Sequence, residues 1–241
     1  MHTVKSIVFA CALFAVGLLV LPDDGYAGTI SFSASQGGRA ASASFEAVGG
    51  DLVVTLTNTS TDDALVPVDI LTGVFFDIAT PGPTLTPVNA VLAPGSSVLF
   101  GGTDPGNAVG GEWAYNEGLV GAPGGAAYGI SSSGLGLFGP PDLFPGSNLQ
   151  GPSSPDGLQY GITSADDDPL TGNTPVTGTN ALIKNSVVFT LTGLPMGFDP
   201  LVSITNIQFQ YGTDLSEPHF PEPSTMALLG FGAVAVLRRR R

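Results

Sequence analysis

The sequence has 241 residues, a formal net charge of −13 at pH 7 and a single cysteine, Cys11. Its 34 glycines and 20 prolines, with only 11% charged residues, are unfavourable for a helical protein. Between Gly28 and Phe220 there are 17 acidic residues but only two basic ones, so this segment has a net charge near −15. Such a surface repels nucleic acid, which excludes nucleic-acid binding as the function.

The first 27 residues have the pattern of a secretory signal peptide. Lys5 precedes an apolar run over residues 7–21, and small residues precede the position after Ala27. The pattern predicts export, with cleavage by signal peptidase between Ala27 and Gly28. Cys11 lies inside the apolar run without the small residues of a lipoprotein signal before it. The mature chain therefore has no cysteine, and neither a disulfide nor thiol chemistry is expected.

The segment after the signal predicts a three-stranded meander. Residues 29–34, 41–48 and 52–58 alternate apolar with polar or small side chains, and the Gly49-Gly50 pair marks a turn. Alternation with a period of two places one face of each strand against a core.

The rest of the body predicts shorter strands separated by long loops rich in Gly and Pro. Residues 135–149 are predicted to form a loop that lies over the sheet and buries Phe138 and Phe144. The fold class is therefore all-β, a single antiparallel β-sandwich of the jelly-roll or immunoglobulin-like kind over residues 28–214, with residues 215–220 as a linker. The further predicted strands are 66–78 with a bend or bulge at Gly73, 84–92 at an edge, 96–100, 111–117, 126–131, 181–191 and 201–211.

Trp113 and Tyr115 suggest one candidate binding surface. The two residues are two positions apart on a predicted strand, so their rings lie on the same face, and a pair of exposed aromatic rings can stack on a sugar. A single tryptophan in a β domain also commonly fills the core. A carbohydrate-binding module is one alternative function, and its test is loss of glycan binding on replacing Trp113.

The run Asp166, Asp167 and Asp168 suggests a second candidate site. Adjacent carboxylates repel one another unless water or a cation separates them, and calcium takes oxygen ligands from flexible loops. The run lacks the alternating Asp-x-Asp-x-Asp-Gly spacing of a calcium loop. A solvated acidic loop and a calcium-dependent adhesion site are the two interpretations.

The side chains for catalysis are sparse, so we expect no enzyme and no cofactor. The histidines are His2, in the predicted signal, and His219, in the predicted linker. No Ser-His-Asp triad, histidine metal cluster or cysteine nucleophile can be assembled from the mature chain. A carboxylate glycosidase remains as an alternative, although Glu112 and Glu117 are five residues apart and point to opposite faces of a strand.

The last 21 residues combine three parts in a fixed order. Residues 226–237 are apolar, and as a helix they would span about 18 Å, less than the ~30 Å hydrocarbon core of a bilayer. The arginines are expected to stay on the cytoplasmic side and stop export, because several guanidinium groups do not cross hydrocarbon cheaply. The polar motif before the apolar run is Pro221, Glu222, Pro223, Ser224 and Thr225, and the cluster after it is Arg238, Arg239, Arg240 and Arg241.

This tail resembles the PEP-CTERM sorting signal of exosortase-dependent bacterial surface proteins. The resemblance covers residues 221–241 and implies that Pro221, Glu222 and Pro223 are read by an exosortase at the inner membrane, where the tail is removed. It implies a transient membrane intermediate, a final position at the cell surface or in the matrix, and a structural or adhesive role linked to exopolysaccharide or biofilm. An ordinary tail anchor is the alternative.

Overall fold

The computed structural model describes residues 28–79, 81–139, 149, 157–173, 176 and 180–221. Within them the chain forms one turn of α-helix, α1 Pro200–Ser203, and the 3₁₀ helices Pro67–Asp69, Gly110–Glu112 and Pro123–Gly125. The strands are β1 Thr29–Gln36, β2 Arg39–Val48, β3 Asp51–Asn58, β4 Leu71–Ile78, β5 Thr86–Leu92, β6 Ser97–Leu99, β7 Ala114–Glu117, β8 Tyr128–Ser131, β9 Ile162–Thr163, β10 Leu182–Lys184, β11 Ser186–Thr192, β12 Ile204–Tyr211 and β13 His219–Pro221.

Two sheets pack face to face, as the sequence predicts. One sheet has the strand order β1-β2-β3-β11-β5, which confirms the meander of the first three strands and places β5 at an edge. The other sheet has the order β13-β12-β4-β9-β10-β6, with β8 also pairing with β4 and β7 pairing with β8. Pairs are antiparallel except for β9 with β10, which run parallel.

The core between the sheets is filled by side chains from alternate positions of the strands. Phe45 of β2 meets Phe76 of β4 edge-on, with the ring centroids 5.0 Å apart. On β2 and β3 the residues between the core positions are only half-buried, which is the one-sided pattern of their sequences. Burial of these apolar side chains contributes about 25 cal/mol per Å² of surface removed from water.

The β4 strand is buried on both faces. Phe76 points into the main core, while Phe75 points to the opposite face and packs against Phe138, with the ring centroids 6.0 Å apart. The connection that carries Phe138 therefore lies over the outer face of the second sheet, as predicted. Phe144 lies outside the described residues.

The predicted strand over residues 181–191 is divided between the two sheets. Leu182–Lys184 pairs with β6 and β9, whereas Ser186–Thr192 pairs with β3 and β5. Asn185 separates the two strands and has a positive φ of 82°, which turns the chain from one layer to the other. The prediction of one continuous strand was wrong because its apolar pattern does not record which layer each half joins.

Asn185 also yields a testable prediction. A left-handed backbone costs an ordinary residue about 1–2 kcal/mol, but asparagine and glycine much less. We expect Asn185→Ala to lower the free energy of unfolding by about 1 kcal/mol and Asn185→Gly to leave it nearly unchanged. Urea unfolding of the chain measures both; equal destabilisation by the two variants would show that a side-chain contact, not the backbone, matters here.

A β-bulge in β12 changes the predicted alternation. Thr205 pairs with Asp77 and Gln208 pairs with Phe75, so Asn206 and Ile207 together oppose a single residue of β4. Asn206 has a positive φ of 54°. The extra residue turns the side chains that follow to the other face. As a result Ile204 lies on the core side with Ile207 and not, as predicted, on the side of Asn206.

The structure confirms the irregularity predicted at Gly73 but does not describe the two predicted flanking helices. The pairing of β4 with β12 shifts between Gln210 opposite Gly73 and Tyr211 opposite Leu71, which confirms an irregularity at this point. The signal helix and the C-terminal apolar helix, residues 7–21 and 226–237, lie outside the described residues. Among the described residues, no helix is long and apolar enough to cross a membrane.

Candidate functional site

The C-terminal edge of the second sheet contains the first residue of the predicted sorting motif. In β13, His219 pairs with Gln210, Phe220 with Phe209, and Pro221 with Gln208. Phe220 is buried and stacks on Tyr211, with the ring centroids 5.4 Å apart and the planes 24° apart. The motif therefore begins inside the folded sheet, in a strand held by one aromatic side chain.

A closed turn leads into this strand. The Glu217 carboxylate accepts hydrogen bonds from the backbone N–H groups of Thr213 and Asp214, at 2.5 and 2.9 Å, and the Tyr211 N–H donates to the Pro218 carbonyl at 3.0 Å. The last two residues of the predicted linker over 215–220 therefore belong to the sheet. The sequence missed this strand because it is only three residues long and contains a proline, which is permitted at a sheet edge.

The two predicted processing sites are only partly described. Gly28 lies against α1, close to the side chains of Asp199, Pro200 and Leu201, while Ala27 lies outside the described residues. Pro221 is the last described residue. The remaining residues of the motif and of the stop-transfer cluster also lie outside the described residues: Glu222, Pro223, Ser224, Thr225, Arg238, Arg239, Arg240 and Arg241.

Trp113 and Tyr115 are in the core, which corrects the sugar-binding interpretation. Trp113 is fully buried and meets Phe189 edge-on, with the ring centroids 4.9 Å apart. Tyr115 is 5% exposed, and its hydroxyl donates to Glu117 Oε2 at 3.0 Å. Burial, reinforced by the Glu117 carboxylate, raises the pKa of the Tyr115 hydroxyl. Neither ring offers a face on which a sugar could stack.

Glu117, one of the two carboxylates weighed for glycoside hydrolysis, has a structural position. Its Oε2 accepts hydrogen bonds from the Tyr115 hydroxyl and from the backbone N–H of Leu85, at 3.0 and 3.1 Å. The carboxylate thus joins β7 to the segment that precedes β5. This contact stabilises the fold and leaves that oxygen engaged on both sides.

The three consecutive aspartates point in different directions. Asp166 and Asp168 are exposed, whereas Asp167 is 2% exposed and its Oδ1 accepts a hydrogen bond from the Ala64 N–H at 2.8 Å. Asp168 Oδ1 accepts from the Leu170 N–H in a local turn. In the described part of the chain, no three His, Cys, Asp or Glu side chains are grouped so that they could hold a metal ion. The geometry of Asp166–Asp168 therefore does not support the predicted calcium site.

Asp167 gives the fold a testable pH dependence. Burial raises the pKa of its carboxyl above the ordinary 3.8, Asp63 acts in the same direction, and Lys184 opposes both. The folded state thus binds a proton more tightly than the unfolded state, so this contribution to stability is complete below pH 3.8 and is lost as pH rises through the raised pKa. We expect the free energy of unfolding of Asp167→Asn, measured in urea relative to the natural chain, to be more favourable at pH 7 than at pH 3.5.

The exposed neighbour is the matched control for this measurement. Asp166→Asn removes the same charge from the same loop without changing a buried group. If both variants show the same pH-dependent difference from the natural chain, the burial of Asp167 is not its cause.

The two basic residues of the described chain hold loops in place. Arg39 Nη2 pairs with Asp69 Oδ1 at 2.7 Å, and its Nε donates to the Val68 carbonyl at 2.6 Å. Lys184 Nζ donates to the Asp167 carbonyl at 2.7 Å. The sequence predicted no role for either residue. The only signal for them was that they are the two basic residues among the 17 acidic ones between Gly28 and Phe220.

One end of the sandwich carries the most exposed carboxylates, and we call it the acidic end. It contains the β1–β2 turn, the loop after β3 and the segment that follows β12. The loop after β9 also belongs to it, because the Asp168 N–H in that loop donates to Asp63 Oδ1 in the loop after β3 at 2.9 Å. The exposed carboxylates of this end are Asp62, Asp166, Asp168 and Asp214.

Comparison with known proteins identifies a sorting motif in the last residues of the chain. Residues 221–241 match the family described as the PEP-CTERM protein-sorting motif. This match confirms the resemblance noted in the sequence and supports exosortase-dependent sorting to the cell surface. Searches of curated proteins and of solved structures found no match to the chain.

Proposed function

We propose that the mature protein is a non-catalytic structural or adhesive component of the bacterial surface or extracellular matrix, associated with exopolysaccharide. The observation that carries the proposal is the sorting motif at residues 221–241, joined without a spacer to a folded β-sandwich. Such a tail delivers its passenger outside the inner membrane. The passenger here is a β-sandwich domain in which Trp113 and Tyr115 are part of the core.

Processing at both ends follows from the sequence. Signal peptidase removes the leader before Gly28, and the apolar run with Arg238–Arg241 holds the chain transiently at the inner membrane. The exosortase then acts at the motif that starts with Pro221. Each step leaves the sandwich intact, since the described fold begins at Thr29 and ends at the first motif residue.

Sorting is tested by the intact mass of the protein from the cell surface and from the culture medium, with and without the exosortase. We expect a mature form that lacks both terminal segments in the host and a heavier form, retaining residues 226–241, when the exosortase is absent. A protein with the same retained tail in both strains would show that the tail is a plain anchor.

The acidic end supports the adhesive part of the proposal. Its exposed carboxylates can bind cationic groups of a matrix glycan, because a strongly acidic surface attracts cationic partners. The double variant Asp62→Asn/Asp166→Asn is expected to reduce co-sedimentation with exopolysaccharide from the host by roughly twofold to fivefold, since an exposed charge pair contributes up to about 1 kcal/mol.

A matched double variant distinguishes an effect of the acidic end from an effect of the net charge of the protein. Glu46→Gln/Asp51→Asn removes two charges from the opposite end of the sandwich and is expected to co-sediment like the natural protein. Equal losses in the two double variants would indicate a net-charge effect, and no loss in either would contradict a role for the acidic end.

A further inference from the structure

The end of the sandwich opposite the acidic end has a different surface. Several strand ends meet there: Thr192 pairs with Asp51 and with Thr86, and Ile204 pairs with Ile78. The β2–β3 turn, the loop after β11, α1 and the β7–β8 connection all belong to it. We call it the apolar end because its exposed large apolar side chains are Val48, Val120, Met196, Leu201 and Val202.

The apolar side chains of this end are highly exposed, whereas its carboxylates are not. Met196 is 104% exposed, Val202 73% and Leu201 52%. The carboxylates of this end are only partly exposed. Asp199 accepts a hydrogen bond from the Leu201 N–H at 3.0 Å and caps α1, while Asp77 accepts from the Ala127 N–H at 2.8 Å. Apolar side chains therefore project furthest.

At the acidic end, exposed apolar residues have charged neighbours. Leu170 is 83% exposed, but its N–H donates to Asp168 Oδ1 at 3.0 Å. Leu65 likewise donates its N–H to an Asp69 carboxylate oxygen at 3.1 Å. The Leu201 N–H makes the same kind of contact with Asp199 at the apolar end, so this contact does not distinguish the two ends. They differ in the exposure of their carboxylates, which are exposed at the acidic end (Asp62, Asp166, Asp168 and Asp214) and only partly exposed at the apolar end.

Both chain termini of the described domain point to the apolar end. The β13 strand runs antiparallel to β12, from His219 opposite Gln210 to Pro221 opposite Gln208. It therefore heads toward Ile204, where β12 begins directly after α1. Gly28 lies at the same end, against the side chain of Leu201.

The distance to the apolar tail is short. Four residues, Glu222 to Thr225, separate Pro221 from Met226. Five Cα-to-Cα steps span at most about 18 Å even when fully extended. A tail held in a bilayer would therefore keep the end of the domain from which it leaves close to the membrane surface.

We propose that the apolar end is a membrane-docking surface, on which the domain rests against the lipid bilayer while its tail is still attached. This inference rests on the proposed function, because it requires residues 226–237 to be held in the membrane. Leu201, Val202 and Met196 enter the boundary between headgroups and acyl chains, to a depth of about 5–10 Å. The acidic end then faces away, where its charges are not brought against anionic lipid.

Docking also explains how a motif that begins inside a folded sheet reaches an enzyme in the membrane. With the apolar end on the bilayer, Pro221 leaves β13 toward the membrane and the next residues need not cross the body of the domain. The same orientation brings Gly28 and the leader before it to the membrane side. One surface thus serves both processing steps.

The test uses single-cysteine labels on the full chain, with Cys11→Ser as the background. A fluorophore at Val202→Cys reports the apolar end, and one at Leu170→Cys, at a similarly exposed position, reports the acidic end. A third label at Ala233→Cys reports the tail. Each protein is reconstituted into phosphatidylcholine vesicles that contain nitroxide-labelled phosphatidylcholine, and collisional quenching is measured without exosortase.

The expected result is strong quenching at Ala233 and at least about twofold more quenching at Val202 than at Leu170, given the depth of docking. Quenching at Ala233 with equal values at the two domain positions overturns docking but leaves the anchored tail intact. Absence of quenching at Ala233 overturns the anchored intermediate and docking with it. Protection of Val202 only when exosortase is added would assign the surface to a protein contact and overturn docking on lipid.

A functional variant provides a second readout. Leu201→Ser/Val202→Ser leaves the core unchanged because both side chains are exposed, so stability in urea is expected to match the natural chain. In this double variant, a fluorophore attached at Met196→Cys should show at most half of the quenching that it shows when Leu201 and Val202 are present. Retention of full quenching would contradict a role for these two side chains.

Discussion

Replacement of Trp113 by alanine is expected to lower the free energy of unfolding by about 3–5 kcal/mol, the largest effect of any single change considered for this domain. Trp113 is fully buried and packs edge-on against Phe189 of the facing sheet. Its removal leaves a cavity between the sheets that the rigid strands cannot close. Urea unfolding measures the loss, and the melting temperature should fall by roughly 10 °C.

Trp113→Phe is the matched variant. It keeps an aromatic ring in the core and removes the indole Nε1–H, which is buried without a hydrogen-bond partner in the described structure. Because an unpaired buried donor is itself unfavourable, the loss should be clearly smaller than for alanine. If Trp113→Ala kept its stability and lost glycan binding, the core position would be wrong and a sugar platform would have to be reconsidered.

Phe220→Ala is expected to release β13 and to lower the free energy of unfolding by about 3 kcal/mol. Phe220 is 4% exposed and contacts the rings of Phe209 and Tyr211, with centroids 6.2 and 5.4 Å away. An edge strand of three residues has few other contacts to hold it. Limited proteolysis, followed by mass spectrometry, should show new cleavage between Thr213 and Pro221 together with the loss in urea unfolding.

The neighbouring residue is the control for this strand. His219→Ala changes an exposed side chain in the same strand and keeps its backbone pairing with Gln210. It should unfold and resist protease like the natural chain. Equal protease sensitivity in both variants would show that the burial of Phe220 is not what holds β13, and an unchanged Phe220→Ala variant would show that this side chain contributes little to the fold.

The release of β13 also bears on sorting. Pro221 is both the last residue of the sheet and the first residue of the motif. A domain that keeps this strand paired presents the motif in one direction, toward the apolar end, whereas a released strand presents it in many. We therefore expect Phe220, which lies just before the motif, to position it for sorting.

Much of the first sheet can be predicted because each of its strands buries one face. The alternation in residues 41–48 and 52–58 states which side chains face the core, and the glycine pair between them permits only a tight connection. For β12 the same reasoning succeeded only in part: Ile207, Phe209 and Tyr211 face the core as predicted, but the start of the strand departs from the predicted alternation. There a bulge at Asn206 reverses the side-chain direction, and Gln208 and Gln210 are buried on the face that their polarity assigns to solvent.

For the candidate sites, too, the local sequence leaves open what contacts between distant residues decide. An aromatic pair is compatible with a binding platform as well as with the commoner core position, because the residue types are identical and only the opposite sheet distinguishes them. Phe189, 76 positions after Trp113 in the sequence, decides the matter by covering the ring. Likewise, Asp167 differs from its two neighbours because it is buried and its carboxylate accepts a hydrogen bond from the N–H of Ala64, in a loop 103 positions earlier.

The sequence alone determined the destination of the protein, the β class of its body and its acidic character. These depend on local order and composition: three tail segments in sequence, side chains with a period of two, and few basic residues. Only the tertiary structure decided that the sheet extends to Pro221, that Asn185 moves the chain between layers, and that one end of the sandwich is apolar. These features depend on pairings between residues far apart in the chain, and no local pattern contains that information.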